Sequence, residues 1–278
     1  MVSKVRRESG RVPFDLQFAI MRTLGGDRSA FVVHPPVASR WKGGRDWVTG
    51  PVNHWFVRGY TRHDRVPDWL AASLVEDAAR KLALVHRASI AIEPGILRLP
   101  GHALQLYDWA LPDVLGHIDH LVTDMRRRER DPGHIRTVWA GLHRLRAERP
   151  GLALGPEGLT HHDLRPENLL VRDGEVVEII DWDRAHWDVQ WYDVALAGLH
   201  LASLRPADPR WDLTQVFIDA YGAESGFRLS VDALAWLFRF TAIRNFALTR
   251  SPGKWARLLH GVGEQWGDGS VLVDDLVA

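Results

Sequence analysis

The sequence predicts an α+β fold in two lobes, the first strand-rich with one long helix and the second mainly helical. Three observations predict it. Up to about Tyr60 the chain is rich in Trp, Gly and Pro and carries only short apolar runs. One long stretch of helical periodicity then follows Pro67. From Pro112 onward helical periodicity dominates, interrupted by a hairpin signal at Asp173-Gly174. The 278 residues suffice for one large domain or two modest ones. The boundary is placed after Asp108, giving segments 1–108 and 109–278.

The elements follow from local pattern. Phe14–Thr23 is open between helix and strand: Pro13 can start a helix, yet Phe14, Leu16, Phe18 and Ile20 alternate. Ala30–Val33 and Trp55–Tyr60 read as strands. Gly25-Gly26, Gly43-Gly44 and Thr49-Gly50-Pro51 read as turns. Asp68 can cap a helix running to about Ala88, with Leu70, Leu74, Ala78, Leu82 and Val85 along one face. Gly95–Leu99 and His102–Trp109 flank Pro100-Gly101 as a hairpin. Helices are expected from Pro112 to about Arg130 and from Asp131 to about Glu148. Beyond Asp212 the chain reads as helix, with breaks at Gly222–Ser225 and Pro252-Gly253.

Composition removes several function classes. The chain has no cysteine, which excludes disulfides, thiolate metal sites and cysteine nucleophiles. Net charge is zero, so whole-chain electrostatics give no reason to expect nucleic acid or a membrane as partner. No apolar run reaches the length of a membrane helix, and Met1–Gly10 lacks a signal-peptide core. A cytoplasmic protein is the expectation. The charge is unevenly placed, however. Residues 1–150 hold 24 Lys and Arg against 16 Asp and Glu, a net of +8, and residues 151–278 hold 11 against 19, a net of −8.

The segment that carries chemistry reads His161-His162-Asp163-Leu164-Arg165-Pro166-Glu167-Asn168, then Leu169–Arg172, Asp173-Gly174 and Val176–Asp183. The Asp-Gly pair closes a hairpin whose two ends meet. Asp163 and Asn168 precede its first strand, and Asp181 follows its second. Two carboxylates and an amide then surround one point. They form a hard oxygen set that suits Mg²⁺ completed by water and phosphate. One carboxylate can instead stay free to orient an attacking hydroxyl.

This pattern resembles the catalytic and metal-binding loops of the protein-kinase-like fold, and in detail those of the aminoglycoside phosphotransferase/choline kinase family. That family reads H-G-D-x-x-x-x-N, a hairpin, then I-D-[WFY]-[DE]. His161, Asp163, Asn168 and Ile180-Asp181-Trp182-Asp183 match in order. Asp188 and Tyr192-Asp193-Val194-Ala195 resemble its following G-D-P…D-L-A segment. The strong match covers about Leu159 to Ala197. His162 replaces the usual Gly, and Trp187-Asp188-Val189 stands where G-D-P is usual.

The resemblance implies transfer of the γ-phosphoryl group of ATP or GTP to a hydroxyl of a small molecule. It implies a nucleotide-binding lobe in 1–108 and a lobe in 109–278 holding the catalytic and metal loops and the substrate site. Asp163 would be catalytic, Asn168 and Asp181 would hold Mg²⁺, His161 would buttress the loop, and Asp183 would be an outer ligand or a cap. In the first lobe the family needs a cation on the phosphates, for which Lys42 and Arg58 are candidates, and a helix glutamate, for which Glu76 is. Leu104–Asp108 is taken as the hinge meeting the base, with Gln105 and Tyr107 in it; the alternative hinge is Trp55–Tyr60. The substrate residues stay unknown. The acidic second half suits a cationic acceptor such as an aminoglycoside or an amine. Trp182, Trp187, Trp191 and Trp236 serve either to stack a ring or to pack the core. Arg165 faces either phosphate or a neighbouring carboxylate such as Glu167. The rival reading is a catalytically impaired, kinase-like nucleotide-binding protein.

Overall fold

A computed structural model describes residues 2–6, 21, 47–49, 53–57, 61–64, 67–89, 113–126, 131–148, 152–205, 208–248 and 252–266. In chain order the strands and helices are β1 (Val2–Arg6), β2 (Trp47–Thr49), β3 (Asn53–Val57), α1 (Ala72–Ala88), α2 (Asp113–Arg126), α3 (Pro132–Glu148) and β4 (Glu157–Thr160). Then come β5 (Leu169–Arg172), β6 (Glu175–Ile179), β7 (His186–Val189), α4 (Trp191–Ala202), α5 (Trp211–Ser225), α6 (Val231–Leu248) and α7 (Pro252–Trp266). Strand and helix are mixed, and helix predominates. The expected strand Ala30–Val33, the hairpin around Pro100-Gly101, and the segments 14–20, 22–26, 43–44 and 50–51 lie outside the described residues. No helix among the described residues is long and apolar enough to cross a membrane.

The chain groups into two compact units. One contains Met1–His102, Gly158–Trp187 and Asp219–Ser225; the other contains Ala103–Glu157, Asp188–Ile218 and Gly226–Ala278.

In the first unit β1, β3 and β2 form an antiparallel sheet in that spatial order. The strand expected at Trp55–Tyr60 is β3, which begins two residues earlier, and residues 58–60 lie outside the description. Helix α1 starts at Ala72, four residues after the expected cap. The Asp68 carboxylate instead accepts the Leu70 N–H at 3.0 Å, closing a turn just upstream of the helix. Its inward face is the expected one: Leu74, Ala78, Leu82 and Val85 are buried, joined by Val75, Ala79 and Ala83. This face packs on β6. His86 adds a buried hydrogen bond of 2.8 Å between Nδ1 and the Tyr221 hydroxyl.

The second unit is built around α6, which is buried on every side from Ala233 to Ile243. A helix that is apolar all round belongs at the centre of a bundle. Trp236 lies flat on Phe240 and donates its indole N–H to the Leu145 carbonyl at 3.0 Å. Arg239, inside the same helix, pairs with Glu148 at 2.6 Å. Gly198 lets α4 approach α6, since a Cβ there would sit 2.8 Å from the Phe238 ring. The helix expected to break at Gly222–Ser225 runs through those residues and ends at Gly226, whose φ of +72° stops it. Pro252 opens α7 instead of interrupting a helix, as a first-turn proline can.

Candidate active site

The hairpin β5–β6 forms where Asp173-Gly174 requires it. Both turn residues have positive φ, 54° and 82°, as a two-residue hairpin of the favoured twist demands. Leu169 pairs with Ile179 and Arg172 with Glu175, with a bulge between Leu170 and Val171. The segment 61–64 lies along the same hairpin. The Asp64 N–H donates to the Val171 carbonyl at 2.6 Å, the Asp173 N–H donates to the Asp64 carboxylate at 3.1 Å, and the Thr61 hydroxyl donates to the buried Glu178 carboxylate.

The loop before the hairpin is tied to the residue after it. Asn168 Nδ2 donates to the Asp163 carbonyl at 2.8 Å, and the Ile180 N–H donates to the Asn168 carbonyl at 3.0 Å. His161 Nδ1 accepts the Asp163 N–H at 3.3 Å, which leaves Nε2 to donate to the Ile180 carbonyl at 2.8 Å. The histidine is buried, and its ring meets Trp182 at 4.7 Å. His161 therefore joins the two loops through main-chain atoms. Asp163, Asn168 and Asp181 are brought to one end of the hairpin by four hydrogen bonds among His161, Asp163, Asn168 and Ile180. Asp183 lies in the short 3-10 helix Trp182–Arg184, whose first flanking residue is Asp181.

Two positions of the motif take left-handed backbone. Asp181 has φ 68° and His162 has φ 59°. Glycine takes this conformation without strain, so the usual Gly at position 162 has a conformational reason. A histidine there bears the strain and is buried, 3% exposed. Three of the residues outside glycine with positive φ, Asp173 included, fall within 162–181. Such strain collects at functional sites.

The remaining sequence candidates separate. Lys42, Arg58, Gln105 and Tyr107 lie outside the described residues. Glu76 pairs with Arg80 at 2.8 Å on a solvated helix face and is 43% exposed. The neighbour that reaches the hairpin is Asp77, whose carboxylate accepts the Val176 N–H at 2.7 Å. Sequence reasoning missed Asp77; the one signal was its place at the margin of the apolar face. Trp182, Trp191 and Trp236 are core residues. Arg165 pairs with Asp163, Nη2 to Oδ2 at 3.6 Å, in place of Glu167. In the second unit Asp188 and Asp193 are fully buried. Between them in sequence, Tyr192 accepts a hydrogen bond from Arg244 at 2.5 Å, and burial pushes its phenol pKa up, so it stays neutral.

With Nδ2 committed to the Asp163 carbonyl, Asn168 has Oδ1 left as a hard oxygen that could hold a divalent cation. Among the described residues no three His, Cys, Asp or Glu side chains form a metal cluster. Two carboxylates and an amide are the sparse set that leaves room for water and phosphate oxygens.

The family model described as "Phosphotransferase enzyme family" matches residues 55–229, more than half of the chain. The chain belongs to that family. It is a phosphotransferase by family. No curated protein matches the sequence. Solved structures share the fold. An amicoumacin kinase in complex with AMP-PNP, Ca²⁺ and Ami aligns with a TM-score of 0.61 at 16% identity, covering 95% of this chain and 80% of that one. An aminoglycoside phosphotransferase from Alicyclobacillus acidocaldarius aligns with a TM-score of 0.57 at 17% identity, covering 95% and 82%. A microcompartment-associated aminopropanol kinase gives 0.56 at 18% identity, covering 94% and 82%.

Proposed function

We propose that this phosphotransferase moves the γ-phosphoryl group of ATP or GTP to a hydroxyl of a small molecule in a Mg²⁺-dependent reaction. One observation carries the reading: Asp163, Asn168 and Ile180-Asp181 are locked together through Asn168 and His161. In this reading Asp163 orients the acceptor hydroxyl and takes its proton. The acceptor oxygen bonds to the γ-phosphorus as the bond from that phosphorus to the diphosphate breaks. The diphosphate leaves with the bonding pair. Asn168 Oδ1 and the Asp181 carboxylate hold the metal. When bound, Mg²⁺ neutralises charge on the phosphates. The transition state of phosphoryl transfer asks for positioning and charge neutralisation more than for covalent help, which is what a rigid polar loop supplies. Asp183, next to Asp181 in the short helix, serves as an outer ligand or a cap.

A cationic acceptor is the favoured class. Residues 151–278 carry a net charge of −8. Two of the solved relatives are named for amino-bearing compounds, an aminoglycoside and aminopropanol. The test is a panel of amino alcohols, aminoglycosides and other antibiotics incubated with ATP or GTP and Mg²⁺, read by mass spectrometry for a phosphate adduct. An adduct that disappears with EDTA supports the proposal. Nucleotide binding with no adduct from any compound favours the impaired, nucleotide-binding reading.

A further inference from the structure

We propose that the second compact unit carries a binding site for a small anion, whose carboxylate or phosphate group seats among α3, α6 and α7. Three observations carry it. First, a cavity of about 360 Å³ opens there, lined by Arg144 and Glu148 of α3, Leu152, Asp232 and Arg239 of α6, and Trp266 at the end of α7. Small-molecule sites run from about 300 to 1,000 Å³. These residues all belong to the second unit, whereas Asp163, Asn168 and Asp181 belong to the first.

Second, the cavity holds a guanidinium that the fold has taken out of water. The Arg239 side chain is 5% exposed. Its hydrogen-bond partner among the described residues is Glu148, reached from Nη1 alone at 2.6 Å. That carboxylate is shared: its other oxygen accepts Arg144 Nε from one turn back on α3. Two guanidinia stand on one carboxylate, so the cluster keeps a positive charge. Burial draws the Arg239 pKa below the ordinary arginine value and the Arg144 charge adds to this, against the opposing pull of Glu148. A buried charge calls for a counter-charge that also satisfies its hydrogen bonds. Carboxylate and phosphate match the guanidinium fork with paired N–H···O bonds.

Third, the flank is apolar and preformed. Trp266 is held edge-on against Trp211 at 5.4 Å and against Phe238 at 4.6 Å between ring centroids. An anion beside Arg239 and Arg144 would lay its organic part on Trp266 and Leu152. Asp232 lies two turns before Arg239 on the same face of α6, about 10 Å along the axis. It is exposed, so solvent and salt screen its repulsion. The two guanidinia exclude the cationic compounds favoured as acceptors.

The experiment titrates the full chain with sodium phosphate, sodium acetate and sodium benzoate at an ionic strength held by sodium chloride, read by calorimetry and thermal unfolding. Phosphate or benzoate should bind saturably and raise the unfolding temperature. Binding of phosphate alone assigns the site to phosphate-bearing molecules, and binding of the carboxylates alone assigns it to organic acids. R144Q should weaken binding about fivefold and R239Q about tenfold or more. E148Q frees both guanidinia and should tighten it severalfold, with the bound anion restoring stability that the variant loses. D232N removes a like charge and should tighten it up to about twofold. No saturable binding of any probe to the parent chain overturns the proposal. So does binding that R144Q and R239Q leave unchanged, which places the anion elsewhere, or binding that D232N weakens. Should R239Q fail to fold, the opposite shifts expected of R144Q and E148Q decide the matter.

Discussion

The hairpin loop 161–183 and helix α1 belong to the same compact unit, yet they store information differently. In the loop the two motif residues His161 and Asn168 are fixed by partners inside the same motif: His161 by Asp163 and by Ile180 across the hairpin, and Asn168 by Asp163. Spacing therefore maps directly onto geometry. In α1 periodicity fixes which face is buried, but not which of the polar residues beside that face reaches another element. Glu76 closes on Arg80 one turn along, while Asp77 crosses to β6. Motif spacing predicts contacts; amphipathicity predicts only faces.

The largest expected break of this contrast is Asp163→Ala. It should lower phosphoryl transfer by about 10²–10⁴-fold, the range for a proton-accepting group, without weakening nucleotide affinity. Steady-state rates together with calorimetry check this; substantial residual turnover removes the assigned role. Next comes Asp181→Asn, chosen because Asn tolerates the left-handed backbone. It should weaken Mg²⁺–nucleotide binding about 100-fold or more, since even partners of metal ligands cost 10–100-fold. Unchanged affinity would exclude Asp181 as a ligand. In α1 the comparison is sharper and smaller. Asp77→Ala orphans a backbone donor and should cost about 1–3 kcal/mol in chemical denaturation. Glu76→Ala removes only a surface pair and should cost under about 1 kcal/mol. The reverse order would show that the wrong acidic residue has been placed on the hairpin. Asp173→Ala should cost about 1 kcal/mol for a left-handed turn position, and the smallest effect is Asp173→Asn, close to neutral.

Much of the helical part was legible because its signals are local. The apolar stripe of α1, the cap at Asp131, which accepts the Gly133 N–H at 2.8 Å, and the Asp-Gly turn each need only a few residues of context. The misreadings have physical causes too. Gly222 was read as a break, but packing carries α5 past it, and the positive φ that ends the helix belongs to Gly226. The helix start at Asp68 was displaced because a carboxylate can close a turn as readily as cap a helix. The sequence shows only that His162 stands where Gly is usual; what distinguishes the position is its left-handed backbone and its burial. Asp77 was missed because its partner lies 99 positions away, where no spacing rule reaches.

The run of left-handed residues at 162, 173 and 181 has a consequence for anyone mutating this loop. Saturation libraries there will be sorted by torsional handedness before any selection for activity acts. Gly and Asn should survive at all three codons for folding, while Val and Ile drop out. A tolerance profile read at the level of soluble expression would then outline the loop's shape, and the difference between that profile and one read under selection for turnover would isolate the chemistry.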